Sequence, residues 1–560
     1  MIKLKINNQL VEVADGLSVL KAADRMGIDI PTMCFKDGFG NHPSCMLCLV
    51  KDVKTGKLHP SCALPSEEGM EIITDDDEIH NARKESLELL LSDHVGDCEA
   101  PCRTACPAFM DIPQMNRLIA TGEYEKALKV IKEEIAIPLI LGYICPAPCE
   151  NACHRGVADK PVKICELKRV VAEKDLQKDD FYIHSKEKSS GKKVAIIGSG
   201  PAGLAAAYHL LLKGHQAVIF DKNPEAGGTL RYDIPEDRLP NSAIDKEVKA
   251  IEKLGAKLEL NQTIDKDSFE LKIQKEYDAI IFATGNFAHG NMETFGFDKT
   301  QYGLKVEKET LEVAKGVFAC GNVFRSRKMA VTSVAQAKQA AHSVDAFLRG
   351  DQAEKIYRMF NSRFGKIKEE EAGEYLKETE TRSLSGAEAS GEVDENPLDI
   401  ESNPLANSTP LSVQSSKNGL NKVNKSGIST GSMSDSQKEA QRCMHCDCRK
   451  PQTCKLRIFA DEYKADRRKF IFGERKLVQK HIEHELIVYE PEKCIRCNLC
   501  VEISEKQKGK LGFTSIGRGF EVRMKVPLNK SMKDIYNQTA IDCAEACPTG
   551  AIAMKQEEHD

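Results

Sequence analysis

The chain has no apolar run of 18 or more residues and no signal-like start, so neither a membrane span nor export is expected and the expected location is cytoplasmic. It has little net charge, -5 at pH 7, which gives no support to nucleic-acid binding. No paired acid and base marks proton-transfer chemistry, so no catalytic side chain is assigned. What is abundant is cysteine, 21 in 560 residues, a length that implies several domains. The cysteines fall in tight CxxC and CxxxC groups beside a nucleotide-binding pattern. A secreted disulfide framework fits that poorly, and metal or iron–sulfur ligation fits it well.

The nucleotide pattern is Lys192 to Asp221. The apolar run Val194 to Ile197 reads as a buried parallel strand. It leads into Gly198-Ser199-Gly200-Pro201-Ala202-Gly203, a helix, and a second strand, Ala217 to Phe220, that ends at Asp221. Gly198 suits the tight turn, Gly200 lets backbone approach a pyrophosphate, and Gly203 lets helix and strand pack closely. The helix N-terminus then faces the phosphates, and the Asp221 carboxylate is placed for ribose hydroxyls.

Ahead of it, Met1 to Val13 alternates as two short strands about Asn7-Asn8, and Leu17 to Met26 has helical spacing. Cys34, Cys45, Cys48 and Cys62 follow, spaced C-x10-C-x2-C-x13-C. Three ligands in a loop with a fourth further on is the plan of a [2Fe–2S] site, zinc being the alternative. Next come His94, Cys98, Cys102 and Cys106, then Cys145, Cys149, Cys153 and Cys165. Pro101, Pro107, Pro146 and Pro148 argue against one continuous helix through these groups, and Ile112 to Ile135 reads as two helices around Thr121-Gly122. Cys443, Cys446, Cys448 and Cys454 form a further group within twelve residues, for zinc or an iron–sulfur cluster. Cys494, Cys497, Cys500, Cys543 and Cys547 close the chain.

These groups carry resemblances. Residues 1–80 resemble the N-terminal [2Fe–2S] domain of the large iron–sulfur subunit of complex I, a β-grasp domain. Residues 81–185 resemble the helical double-[4Fe–4S] domain of the glutamate synthase small subunit and of dihydropyrimidine dehydrogenase. That likeness implies one cluster on His94, Cys98, Cys102 and Cys153, and another on Cys106, Cys145, Cys149 and Cys165, with Glu166 as the alternative to Cys165. His94 takes the place of a family cysteine; the alternative is a loop histidine. Residues 190–350 resemble the FAD-binding part of the same flavoproteins, through Gly228 and Leu230, Arg238 in Ile234–Pro240, Thr284-Gly285, and Gly321-Asn322. Asn322 stands where the family has an acid, which removes a charge from one flavin contact. Met329 to Phe347 reads as the closing helix. Residues 485–560 resemble a ferredoxin with one [4Fe–4S] cluster on Cys494, Cys497, Cys500 and Cys547. Nineteen cysteines plus His94 then fill five four-ligand sites, leaving Cys320 and Cys543.

One absence inside the chain matters most. The related flavoproteins insert a nicotinamide-binding βαβ unit between the Thr284-Gly285 strand and the final flavin motif. Here Asn286 to Lys315 is too short for one and contains no GxGxxG. Residues 351–376 read as a charged helical extension, 377–437 as a disordered linker, and 438–475 as the four-cysteine metal site. The expected whole is a multidomain α/β and α+β chain holding FAD, one [2Fe–2S], three [4Fe–4S] clusters and one further four-cysteine site for zinc or an iron–sulfur cluster. It would pass electrons between clusters and FAD, as a subunit of a hetero-oligomeric redox complex of hydrogenase, formate dehydrogenase or bifurcating type, with redox subunits or ferredoxin as partners. A self-contained FAD oxidoreductase and a structural or regulatory iron–sulfur module are the alternatives.

Overall fold

Asn7 and Asn8 both take positive φ, 49° and 65°, the twist a two-residue hairpin requires. They join β1 (Ile2–Ile6) to β2 (Gln9–Val13). After α1 (Val19–Asp24), capped by Ser18, come β3 (Leu49–Asp52), β4 (Leu58–Pro60) and β5 (Glu71–Ile73), giving a sheet ordered β2-β1-β5-β3-β4. The computed structural model describes residues 1–40, 42–286, 295–324, 329–388 and 433–555.

A helical region comes next: α2 (Asp77–Asp93), α3 (Pro101–Ala105), α4 (Ile112–Ala120), α5 (Tyr124–Glu134), α6 (Pro138–Ile144), α7 (Pro148–Asn151) and α8 (Ile164–Leu176). Prolines open α3, α6 and α7 at positions where a missing N–H costs nothing, which keeps the cysteine groups on short turns. Gly122, at φ 81°, divides α4 from α5 as expected.

The dinucleotide region is built on β6 (Lys193–Ile197), α9 (Pro201–Leu212), β7 (Gln216–Phe220), α10 (Thr229–Tyr232), α11 (Asn241–Leu254), β8 (Lys257–Glu259) and β9 (Ala279–Phe282). Beyond it lie β10 (Lys299–Thr300), β11 (Gly303–Leu304), β12 (Glu312–Ala314) and β13 (Val317–Ala319). The main sheet runs β12-β13-β9-β6-β7-β8, parallel except for β12. Helix Ala330–Arg349 packs along α9. One apolar core joins α4–α6, α8 and this sheet's helices, so the helical region and the dinucleotide region are fused through side chains such as Ile140, Leu204, Ile244 and Val334.

Residues 351–366 are not the expected helix: the chain there has no regular secondary structure, and the helix runs later, Glu369–Glu388. The reason is tertiary. The Ile356, Phe360 and Phe364 amides donate to Gln339, Asp461 and Asp97 side chains, and Phe360 O accepts from Arg457. That helix also takes the first residues assigned to the linker, whose residues 389–432 lie outside the described residues. The C-terminal region pairs Ile487–Tyr489 with Ile552–Met554 and Thr514–Ile516 with Arg523–Lys525, around helices Leu499–Lys506 and Asn537–Ala546.

Candidate metal centres and dinucleotide site

At the glycine turn the steric demands are explicit. A Cβ on Gly198 would lie 2.4 Å from the Ala283 carbonyl oxygen and 3.2 Å from Thr284 Cα. One on Gly203 would lie 1.8 Å from the Gly198 carbonyl oxygen, and one on Gly321 2.9 Å from Ala202 Cβ. So β6, β9, α9 and the final motif meet at one point. Gly228 closes on Gly200, its Cβ position 2.9 Å from Gly200 Cα, while beside Gly200 itself there is open space within 4 Å. That is where a pyrophosphate needs room, ahead of an α9 that starts with Pro201.

Asp221 sits at the tip of β7. Its Oδ2 accepts from Ser199 N (2.7 Å) and Ser199 Oγ (2.6 Å), and its Oδ1 from Asn223 N (2.9 Å). The carboxylate is therefore a clamp on the glycine turn, with one lone pair on Oδ1 left for a ribose hydroxyl. Ser199 is the partner that the motif alone did not single out. Leu230 is buried beneath the turn, Gly285 has φ 84°, and Asn322 lies in the short turn after β13. Arg238 is exposed on the Pro235–Leu239 turn.

The four N-terminal cysteines converge. Cys34 Sγ and Cys45 Sγ are 3.4 Å apart, and thiol hydrogen bonds link Cys34 to Cys62 and Cys48 to Cys62. The bond from Cys45 holds the Cys34 thiol far below its usual range, and the bond from Cys62 lowers Cys48 to about 7.

Cys494, Cys497, Cys500 and Cys547 line one cavity, together with Met524 and Pro548. Cys543 does not join them; it is buried and its Sγ faces the Cys500 carbonyl at 3.5 Å. Cys320 is buried in the dinucleotide core.

Cys145, Cys149 and Cys165 form a thiol-bonded group, with the Lys168 ammonium beside Cys145 and Cys165. Cys106 ends α3, which packs on α7, the carrier of Cys149. Glu166 points away and pairs with Lys163 at 3.3 Å, so of the two predicted alternatives the geometry favours Cys165.

The remaining cysteines are not arranged as expected. Cys102 and Cys153 line a second cavity, together with Cys443 and Cys446. Cys98 is elsewhere: Cys448 N donates to Cys98 O at 3.2 Å, and Cys454 lies near both Cys98 and Cys448. His94 is buried with Nδ1 unpartnered. Thus Cys443–Cys454 is not a self-contained four-cysteine knot, and Cys98 parts from Cys102 and Cys153. The physical reason is tertiary: residues 442–457 lie across the helical region, where the sequence offers no local sign of them. Arg117 grips Asp447 through two nitrogens, 3.1 Å each to Oδ2, and Arg155 Nη1 donates to Arg442 O at 3.2 Å.

Burial pushes these thiols up, Cys98 to about 11 and Cys454 to about 12, with Cys102 and Cys446 higher still. Buried sulfurs of this kind become anionic ligands only when a cationic centre neutralises them. Among the described residues, no group of three or more His, Cys, Asp or Glu side chains closes on a point suited to a single ion. Sulfurs ringing cavities suit a multinuclear cluster better, so the donor sets fit iron–sulfur chemistry.

Residues 1–77 match the 2Fe-2S iron-sulfur cluster binding domain, residues 76–180 match dihydropyrimidine dehydrogenase domain II with its 4Fe-4S cluster, and residues 196–258 match an NAD(P)-binding Rossmann-like domain. The chain is 38% identical over 221 residues to the NADP(+)-dependent formate dehydrogenase subunit beta of Moorella thermoacetica, covering 36% of this chain and 31% of that one. It is 34% identical over 182 residues to the glutamate synthase [NADPH] small chain of Bacillus subtilis, covering 32% and 37%. It is 32% identical over 207 residues to the NADPH-Fe(3+) oxidoreductase subunit beta of Geobacter sulfurreducens, covering 37% and 31%. The chain spans about a third of the length of these relatives. The matches bear out the expected series of a 2Fe-2S domain, a helical 4Fe-4S domain and a dinucleotide fold. No helix among the described residues is long and apolar enough to cross a membrane.

Proposed function

We propose that the chain is an iron–sulfur flavoprotein that relays electrons as one subunit of a larger cytoplasmic redox complex, with FAD in the glycine turn. A bound flavin supplies exchange between one-electron and two-electron carriers. The chain's own residues hold it: Gly198, Gly200 and Gly203 by clearance, Ser199 and Asp221 by fixing the turn.

The observation that carries the reading is the continuity of the sulfur sites. Cys34, Cys45, Cys454 and Cys497 share one apolar core, so the N-terminal and C-terminal centres lie side by side. Cys454 also lies near Cys98 and Cys547. Cys102, Cys106, Cys149 and Cys443 share the core that contains α9 and the main sheet. The sites therefore form a series from the [2Fe–2S] domain to the dinucleotide turn. One [2Fe–2S] and four [4Fe–4S] clusters fill the sulfur sets, about 18 iron atoms per chain.

The Rossmann match and the NADP-linked names of the relatives favour a second reading, in which the glycine turn holds a nicotinamide nucleotide. Anaerobic reconstitution followed by flavin and iron analysis separates the two. About one FAD and at least roughly ten iron atoms per chain are expected; full iron without flavin points to the nicotinamide reading, and iron well below that level removes the relay.

A further inference from the structure

Residues 442–457 are docked on both sides. Toward the helical region, Cys448 N donates to Cys98 O, Arg117 holds Asp447, and Arg457 Nη2 donates to buried Glu99 Oε1 at 2.6 Å. Toward the C-terminal region, Lys455 N donates to Pro548 O at 2.8 Å, and Lys450 Nζ donates to Ala544 O and Cys547 O at 2.8 and 2.9 Å. The four cysteines of this segment consequently face two different places.

The first place is the cavity shared with Cys102 and Cys153. The second is beside Cys98, and three observations there point to a metal cluster held by thiolates. A Cβ on Gly550 would lie 2.4 Å from Cys448 Sγ and 3.9 Å from the Lys493 side chain, so that buried lysine lies beside this sulfur. Two buried ammonium groups, Lys493 and Lys480, flank the Glu490 carboxylate at 2.6 and 3.8 Å, so cationic groups stand close to this sulfur. His94, nine-tenths buried, has an Nδ1 with no partner, and its neighbour Gly96 packs against the Lys493 chain. A nearby ammonium favours the thiolate over the thiol, and an imidazole nitrogen without a partner is free to ligate, so three thiolates and an imidazole here suit an iron–sulfur centre.

We propose that Cys443–Cys454 divides its ligands between two [4Fe–4S] centres: Cys443 and Cys446 complete one with Cys102 and Cys153, while Cys448 and Cys454 complete another with Cys98 and His94. This rests on the iron–sulfur reading above. Its consequence is that the segment closes two centres across more than half the chain, tying the helical region to the part of the chain beyond residue 433.

The test uses the full chain, reconstituted anaerobically with iron and sulfide. Cys443→Ser and Cys102→Ser should each lose about four iron atoms and alter the same EPR signal of the reduced protein, the double variant losing no more than either single one. Cys448→Ser and Cys98→Ser should share a second signal, as should His94→Ala. If Cys443→Ser and Cys448→Ser instead alter one common signal that Cys98→Ser and Cys102→Ser leave unchanged, the proposal is overturned. Wild-type chain guards against variants that fail to fold. After iron is chelated and the thiols are oxidised with diamide, peptide mapping should find Cys102 or Cys153 joined to Cys443 or Cys446, and Cys98 joined to Cys448 or Cys454. Disulfides confined within Cys443–Cys454 overturn it. Wild-type chain that takes up no iron sinks the iron–sulfur reading itself; full iron with one common signal sinks only the division of ligands.

Discussion

Gly203 leaves no room for a side chain: its Cβ position is 1.8 Å from the Gly198 carbonyl oxygen, which is fixed backbone of the turn. Gly203→Ala must push α9 off the strand or open the turn, at a cost of about 1–3 kcal/mol. Nucleotide occupancy is expected to fall at least roughly tenfold while the iron content stays unchanged, read from the flavin and iron absorbance of the purified variant. Glu247 is a second residue under constraint. It is fully buried on α11; its Oε1 accepts from Leu139 N at 2.6 Å, and its Oε2 has no partner. Burial raises its pKa from 4.5 to about 7, against the pull of Lys132. The folded chain then holds a proton that the unfolded chain has released, so stability declines as pH rises from 4.5 to about 7. Glu247→Gln keeps the acceptor and removes the titration. It should be more stable than wild type at pH 8, by roughly 3 kcal/mol at most, and no more stable at pH 4.5. Thermal melts at the two pH values check this, and an equal gain at both would show that titration is not the cause.

Between elements, the bond from α4 to the segment after Cys446 does most to fix where the late cysteines lie. Arg117 and Asp447 are both half-buried or better, and the contact is a fork on one carboxylate oxygen. A double-mutant cycle of Arg117→Met and Asp447→Asn should show coupling of about 1–2 kcal/mol in melting stability; additive losses would mean that the pair does not hold the segment. This contact also marks the limit of what the sequence discloses. The hairpin at Asn7-Asn8, the break at Gly122, the proline interruptions at Pro101 and Pro148, and the strand–turn–helix around Gly198 are demands of local backbone geometry, and each is legible. The gathering of Cys34, Cys45, Cys48 and Cys62, and of Cys494, Cys497, Cys500 and Cys547, is legible too, because most members of each group share one loop. The division of Cys443–Cys454 is not. It depends on Cys448 N reaching Cys98 O and on Arg117 reaching Asp447, across more than 300 residues with no periodic signal to announce them. Residues 351–366 escaped for the same reason: charged composition reads as helix, but their amides bond to side chains of other elements.

In the whole molecule the two ends of the chain meet. His42 pairs with Glu502 at 2.7 Å, Arg496 with Asp93 at 2.9 Å, and Cys34 and Cys497 share a core. On the relay reading, electrons entering at this joined face would have a run of sulfur sites behind them, ending at the core beneath α9. A hydride donor has no comparable route. It must lie with its nicotinamide near the flavin at roughly 3–3.5 Å, and in a two-nucleotide flavoprotein a βαβ unit holds it there. Between β9 and β13 the described residues offer only the short β10–β11 pair and the edge strand β12. The isolated chain, loaded with FAD and iron, is therefore expected to show no rapid bleaching of its flavin absorbance band when mixed anaerobically with NADH or NADPH. Reduced ferredoxin should bleach it, because a protein donor needs only to dock near the joined end modules. Stopped-flow absorbance decides between them. Rapid bleaching of the single chain by either nicotinamide would falsify the relay reading and point to a nicotinamide site built from other parts of the chain. Bleaching by a nicotinamide only after a second subunit is added would place that site on the partner and leave this chain as the relay.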